Sequence, residues 1–300
     1  MNAAAFRCGT AVLAGRPNVG KSTLFNALVG QKLSIVTPKA QTTRHRIQGI
    51  VTRPGFQLAL LDTPGAGAAA GSRLAHAMSR EAAAALAGAD AAILVVAAPR
   101  WTSADGDALA RLVEARLPVV LAVNKIDRMR PRERLLPLLE DLAGRHEFAA
   151  IVPVSAEQGE NLDRLVDAVV GLLPEAPAAW PEEQVTDRSE RFLAAEIVRE
   201  QLMIALSAEL PYGIAVEIER FEETSDGRTG IDAVIWVERE GQRKIVIGTG
   251  GARLKAIGRA ARLALNERLG RRVHLSTWVR VRKGWSDDPG MLRRLGHGAP

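Results

Sequence analysis

Residues 15–23 read GRPNVGKST. Gly15, Gly20, Lys21 and Ser22 fit the pattern G-x-x-x-x-G-K-[ST] of a loop that cradles phosphates. The residue types follow from the ligand. A polyphosphate needs several backbone N–H donors at close range, and glycine leaves that approach open while accepting unusual φ/ψ. Lys21 supplies a point charge for the β- and γ-phosphates, and Ser22 offers a hydroxyl to Mg²⁺. The apolar run Ala11–Ala14 precedes the loop, and the periodic Leu24, Phe25 and Leu28 follow it. Strand, loop and helix in that order aim a helix N-terminus at the anion. The candidate phosphate site is therefore the whole run Gly15, Arg16, Pro17, Asn18, Val19, Gly20, Lys21, Ser22 and Thr23.

Outward from this loop, residues 1–173 alternate between strand and helix patterns. Strand-like runs lie near 8–14, 47–52, 56–61, 91–97, 118–123 and 150–154. Helix-like runs lie near 21–30, 72–87, 104–115, 131–146 and 161–172. The alternation, with the phosphate loop at its first strand end, predicts an α/β P-loop domain: a mostly parallel sheet with helices on both faces. Arg53-Pro54-Gly55 reads as the turn of one antiparallel hairpin.

Ligand loops belong at the carboxyl ends of such strands. The third strand ends in Asp62-Thr63-Pro64-Gly65, then Ala66. Asp62 can hold Mg²⁺ through water, and the Gly65 amide can sense a γ-phosphate. The fifth strand ends in Asn124-Lys125-Ile126-Asp127. A carboxylate at Asp127 accepts from the two donors of guanine that adenine lacks. Asn124 can tie this loop to the phosphate loop, and the Lys125 stem can cover the base. The sixth strand ends in Val154-Ser155-Ala156, where a backbone N–H can meet the guanine oxygen. Each motif alone is an ordinary turn or cap. In this order, each at a strand end, they make a guanine-nucleotide site.

Gln31 to Arg46 is long for a connection inside a domain, and loops of that length are commonly functional. Thr43 is the expected partner of Mg²⁺ when a γ-phosphate is present, with Thr42 as the alternative. Lys21, Asn18, Thr43 and Gly65 form the expected catalytic set; Ser22, Thr43 and Asp62 form the metal set. No glutamine follows Asp62-Thr63-Pro64-Gly65 to orient water, so intrinsic turnover is expected to be slow.

The 300 residues suit two domains. The single cysteine, Cys8, rules out an internal disulfide and reads as a small buried hydrophobe. Neither a secretory signal nor an apolar run of membrane-spanning length is evident, which points to the cytoplasm. The net charge of +6 conceals an asymmetry: residues 241–300 hold 14 Lys+Arg against 3 Asp+Glu. A segment that basic is a candidate polyanion site.

Pro174, Pro177 and Pro181 mark 174–187 as a semi-rigid linker. A second domain, 188–300, then opens with a helix over about 188–207. Strands are expected near 213–220, 231–239 and 272–282. Gly248, Thr249, Gly250 and Gly251 match the G-x-x-G turn of an α+β KH module, joining a short helix to a longer one; alone such a turn is also a helix cap, and the basic segment around it favours RNA. Arg253, Lys255 and Arg259 follow on that helix, within reach of RNA phosphates. Trp285 stands equally for base stacking or for packing. Trp278 reads as core or sheet edge.

These motifs together resemble the Era family, bacterial GTPases with a C-terminal KH domain that act in small-subunit ribosome assembly. The resemblance also runs through KAQTTRHR, RWT at 100–102, VEIERF at 216–221, VEREGQRK at 237–244 and KGWSDD at 283–288. It implies a type II KH fold, GTP hydrolysis to GDP, and binding near the 3′ end of 16S rRNA during 30S assembly. It implies a monomer with loose peripheral association with the inner membrane. Asn18 is implied to hold K⁺, which would supply charge that an arginine finger supplies elsewhere. The alternative reading is a P-loop GTPase whose second domain binds protein or membrane.

Overall fold

The computed structural model describes residues 5–37, 39, 42–64, 71–206, 213–224 and 227–297. The chain forms two compact units, one of residues 1–34, 43–68 and 79–187, the other of residues 35–42, 69–78 and 188–300.

The first unit is a six-stranded sheet in the order β2-β3-β1-β4-β5-β6. Its strands are β1 (Arg7–Ala14), β2 (Ile47–Arg53), β3 (Phe56–Asp62), β4 (Ala91–Ala97), β5 (Val119–Asn124) and β6 (Ala150–Pro153). β2 pairs antiparallel with β3, while β1, β3, β4, β5 and β6 run parallel. Every residue of β3, β4 and β5 is buried, as parallel strands covered on both faces must be.

Helices α1 (Lys21–Val29) and α5 (Leu162–Val170) cover one face. Helices α2 (Arg73–Ala87), α3 (Ser103–Glu114) and α4 (Leu135–Ala143) cover the other. There Ala85, Ala108, Leu109, Leu112 and Leu142 pack on Val12, Leu94, Val96 and Leu121. The expected hairpin closes at Pro54-Gly55, where Gly55 at φ +91° turns the chain between paired Arg53 and Phe56.

The proline-rich segment 174–187 is bound rather than free. Buried Gln57 accepts from the N–H groups of Ala179 and Trp180, both at 2.9 Å, and donates to the Trp180 carbonyl at 2.9 Å. Thr186 Oγ1 donates to the Gln48 carbonyl at 2.7 Å, and Ile50 N–H donates to the Val185 carbonyl at 2.8 Å. The backbone groups of edge strand β2 thereby find partners. A sequence read for spacer composition does not reveal that one buried glutamine grips the spacer.

The second unit runs α6 (Glu190–Ala205), β7 (Ile214–Glu223), β8 (Thr229–Val237), α7 (Glu240–Ile247), α8 (Ala252–Leu269) and β9 (Val273–Val281). The sheet order is β7-β8-β9, with β7 antiparallel and β9 parallel to the central β8. Ala194, Ile197, Val198 and Leu202 of α6 share a core with Ile231, Ala233 and Ile235 of β8 and with Ile257, Ala261 and Leu265 of α8. A short helix not foreseen from sequence, α9 (Pro289–Arg294), follows, capped by the Asp288 carboxylate.

Gln57→Ala is expected to cost about 1–3 kcal/mol by stranding the N–H groups it satisfies. Limited proteolysis within 174–187 should accelerate while the rest of the first unit stays intact. Unchanged cleavage would show that the segment is held by other contacts.

Candidate nucleotide and RNA sites

The phosphate loop joins β1 to α1. Gly15 sits at φ +144° and Gly20 at φ +100°. A Cβ on Gly15 would meet the Val95 carbonyl oxygen at 2.3 Å, and one on Gly20 would meet Asn124 Nδ2 at 2.4 Å. Both positions are therefore closed to other residues by backbone angle and by space. Lys21 Nζ donates to the carbonyls of Gly15 at 2.8 Å and Arg16 at 3.0 Å, which holds its charge over the loop. Burial pushes the Lys21 ammonium below its usual range, and nearby Asp62 opposes that shift.

Asp62 ends β3 beside Leu13 of β1 and is fully buried. Its Oδ2 accepts from Ser34 Oγ at 2.7 Å, Ser22 Oγ at 2.9 Å and Thr43 Oγ1 at 3.2 Å. Ser22 and Thr43 hydroxyls stand 3.1 Å apart. Burial raises the Asp62 carboxyl above its usual range; the hydrogen bond from Ser34, the charge of Lys21 and the hydroxyls of Ser22 and Thr43 pull it back. Its Oδ1 is buried with no hydrogen-bond partner. Two hydroxyls and an unsatisfied carboxylate oxygen form a hard-oxygen donor set suited to Mg²⁺. Of the two threonines left open above, Thr43 lies here. Thr42 instead donates to the Lys39 carbonyl at 2.6 Å and meets Thr37 Oγ1 at 2.8 Å.

Ser34 was not foreseen. It lies in an irregular loop with no motif around it. Asn26 of α1 places it, accepting from the N–H groups of Leu33 and Ser34, both at 2.9 Å.

The base-side loops are joined by one residue. Asn124 donates to the Val19 carbonyl at 2.9 Å and accepts from the Ala156 N–H at 3.0 Å. Lys125 Nζ donates to the Asn18 carbonyl at 2.6 Å. Asp127 Oδ1 accepts from Ser155 Oγ at 2.6 Å, which fixes the carboxylate at the rim. Arg16 is steered by a buried carboxylate, with its Nε 3.1 Å from Asp105. Asp105 also accepts from Thr102 N at 2.9 Å and Thr102 Oγ1 at 2.8 Å, so part of the RWT stretch serves the phosphate loop. Thr63 donates to the Leu13 carbonyl at 3.3 Å. Gly65 and Ala66 lie outside the described residues.

In the second unit the G-x-x-G turn separates α7 from α8. Gly248 holds φ 74°, ψ 175°, a region open essentially to glycine alone, and a Cβ there would meet Arg253 Cβ at 2.7 Å. Thr249 and Gly250 are exposed at the turn, and Lys255 and Arg259 are exposed along α8. Arg253 is also exposed, but its Nη1 donates to the Ile245 carbonyl at 2.6 Å, so part of its capacity closes α7.

Residues 10–125 match the family described as 50S ribosome-binding GTPases, and residues 209–286 match the KH domain. GTPase Era of Stenotrophomonas maltophilia (strain K279a) is 53% identical over 291 residues, 97% of each chain. The chain belongs to the Era family of GTPases. Era of Xanthomonas oryzae pv. oryzae (strain MAFF 311018) is likewise 53% identical over 292 residues, 97% of each chain. A solved Era in complex with MgGDPNP and nucleotides 1506–1542 of 16S ribosomal RNA superposes with a TM-score of 0.93. It is 38% identical and covers 98% of this chain and all of its own. Aquifex aeolicus Era bound to GDP and AlF4⁻ matches with the same TM-score, identity and coverage.

Burial corrects one expected RNA contact. Trp285 is completely buried, and its indole N–H donates to the Gly213 carbonyl at 3.2 Å. The turn that carries it is clamped by Glu238, which accepts from Gly284 N at 2.6 Å and Ser286 Oγ at 3.3 Å. An indole with its ring in the core and its N–H satisfied has no face left for a base. Trp278, on edge strand β9, is the exposed tryptophan, at 45%.

Trp285→Ala should destabilise the protein by about 3–5 kcal/mol, the usual cost of emptying a large aromatic site. Chemical denaturation checks this, and a midpoint equal to wild type would overturn the packing role. Asp127→Asn should exchange guanine for xanthine preference in nucleotide competition. Unaltered preference would mean that Asp127 does not read the base.

Proposed function

We propose that this chain is a slow GTP-hydrolysing switch that grips the 3′ end of 16S rRNA through its KH unit and assists assembly of the 30S subunit. One observation carries the reading. A Mg²⁺-type oxygen cluster at a P-loop and a G-x-x-G turn in the α6-β7-β8-α7-α8-β9 order of a type II KH fold occur in one polypeptide. The match of 209–286 to KH domains supports RNA over a protein or membrane partner for the second unit.

The roles follow from the chemistry. Gly15 to Thr23 wrap the phosphates, and Lys21 neutralises charge on the β- and γ-groups. Asn124 and Asp127 choose guanine. Ala156 N–H, now held by Asn124 Oδ1, is shared with the guanine oxygen. Ser22, Thr43 and Asp62 would hold Mg²⁺, which when bound withdraws charge from the β- and γ-phosphate oxygens. Thr43 and Gly65 respond to the γ-phosphate, so hydrolysis frees the segments that carry them. Asn18, left-handed at φ 64° and exposed in the phosphate loop, is the residue we assign to K⁺. Without a glutamine or arginine finger, intrinsic turnover is expected at about 10⁻³ s⁻¹ or less. K⁺ in place of Na⁺ should raise it.

Among the described residues no helix is long and apolar enough to cross a membrane. The working place is the cytoplasm, where small subunits assemble. Any contact with the inner membrane is peripheral.

At the RNA turn, Thr249 and Gly250 face solvent, and Arg253, Lys255 and Arg259 follow. A KH clamp on about four nucleotides of single strand gives a log–log salt slope of about −2 to −3. The decisive measurement is binding of a 3′-end 16S oligonucleotide across a salt series, with GDP and with a non-hydrolysable GTP analogue. Thr249→Asp/Gly250→Asp should reduce affinity at least about tenfold by repelling phosphate, because Asp tolerates the left-handed φ of Gly250 and nothing lies near its Cβ. Salt-independent binding, or full affinity in that variant, would remove RNA from the function.

A further inference from the structure

Helix α6 carries three charged side chains that solvent hardly reaches: Glu196 at 5%, Arg199 at 4% and Glu200 at 1% exposure. Charges are rarely buried without matched partners, because desolvation outweighs a single contact. Arg199 and Glu196 form a two-pronged pair, Nε to Oε1 at 2.7 Å and Nη2 to Oε2 at 2.6 Å. Arg199 Nη1 meets Met203 Sδ at 3.3 Å. Arg199 Nη2 also donates to the Thr42 carbonyl at 2.6 Å, and Glu200 Oε1 accepts from the Val36 N–H at 2.9 Å. Between these points, Lys39 Nζ donates to the carbonyls of Met203 and Leu206 at the carboxyl end of α6. A cation there also meets the favourable end of the helix dipole.

Val36, Lys39 and Thr42 are thus each held by one helix, and they belong to the same compact unit as that helix. The next residue is Thr43, whose hydroxyl lies 3.1 Å from Ser22 and 3.2 Å from Asp62. Fixing the Thr42 carbonyl fixes the peptide plane that leads into Thr43.

We infer that Arg199, set by Glu196, and Glu200 are positioning residues for GTP hydrolysis: they hold the Thr42 carbonyl and the Val36 N–H so that Thr43 reaches the Mg²⁺ site. The inference rests on Thr43 as a Mg²⁺ partner. α6 therefore has two tasks, core element of the KH unit and backstop for the γ-phosphate-sensing loop. Its apolar residues Ile197, Val198 and Leu202 pack in the KH core while the charged residues hold the loop. A second contact of this kind exists within the same unit: Arg73 N–H, at the start of α2, donates to Asp287 Oδ1 at 2.8 Å. Any RNA-induced shift of α6 then changes the loop, and by reciprocity the loop state changes RNA affinity.

The test uses the full chain. Glu196→Leu/Arg199→Met removes the pair without stranding one buried charge, and Lys39→Ala perturbs the loop side without touching the core. Calorimetry compares GDP with a non-hydrolysable GTP analogue in Mg²⁺, beside kcat, thermal midpoint and Thr43→Ala. The double variant should lose about tenfold in analogue affinity while GDP affinity stays within about twofold, a coupling of ordinary size for linked sites. Lys39→Ala should shift the same ratio in the same direction, and Lys39→Arg should restore it. Equal losses for GDP and analogue, or no loss for either, would overturn the positioning role. Should Thr43→Ala itself leave analogue affinity untouched, the reading of Thr43 as a Mg²⁺ partner falls first and takes this inference with it.

Discussion

The buried carboxylate of Asp62 is the constraint around which the nucleotide site is built. Three hydroxyls from α1 and the loop that follows it converge on a single oxygen. A carboxylate this deep cannot remain charged without donors, and those hydroxyls lack acceptors of comparable strength without it. Its place at the end of β3, beside β1, brings it next to the phosphate loop. The parallel sheet thus turns strand order into proximity: residues far apart in sequence meet because their strands end side by side.

Asn124 plays the matching part on the base side. One amide bridges the loop after β1 and the loop after β6, so the two loops share a frame. The left-handed conformations at Asn18 and Lys125, joined by the Lys125–Asn18 hydrogen bond, narrow the frame further. Strain of this sort is held where the surroundings over-determine it, and here they do.

The second unit solves another problem with the same means. A glycine turn exposes backbone at the start of a long helix, while a buried tryptophan and a capped short helix close the chain after β9. Two features of this unit ran against its composition. Trp285 sits in a basic, polar stretch of the kind RNA-binding proteins expose, yet it is core. Glu196, Arg199 and Glu200 look like an ordinary solvated helix face, yet all three are buried. Spacing could not distinguish these cases, because the deciding partners are Gly213, Glu238, Val36 and Thr42, which are distant along the chain.

The strand-loop-helix around residues 15–23, the strand end at Asn124-Lys125-Ile126-Asp127 and the G-x-x-G turn were legible in the sequence. Each is a contiguous run in which backbone angle and local chemistry dictate residue type. The alternation that gives the α/β sheet was legible for a related reason: hydrophobic periodicity is itself local. Folding alone decided which of Thr42 and Thr43 meets Asp62 and Ser22, what Trp285 does, how Gln57 holds the proline segment, and where Ser34 lies. Those outcomes depend on burial and on partners brought together by strand order, and no window of neighbouring residues contains them.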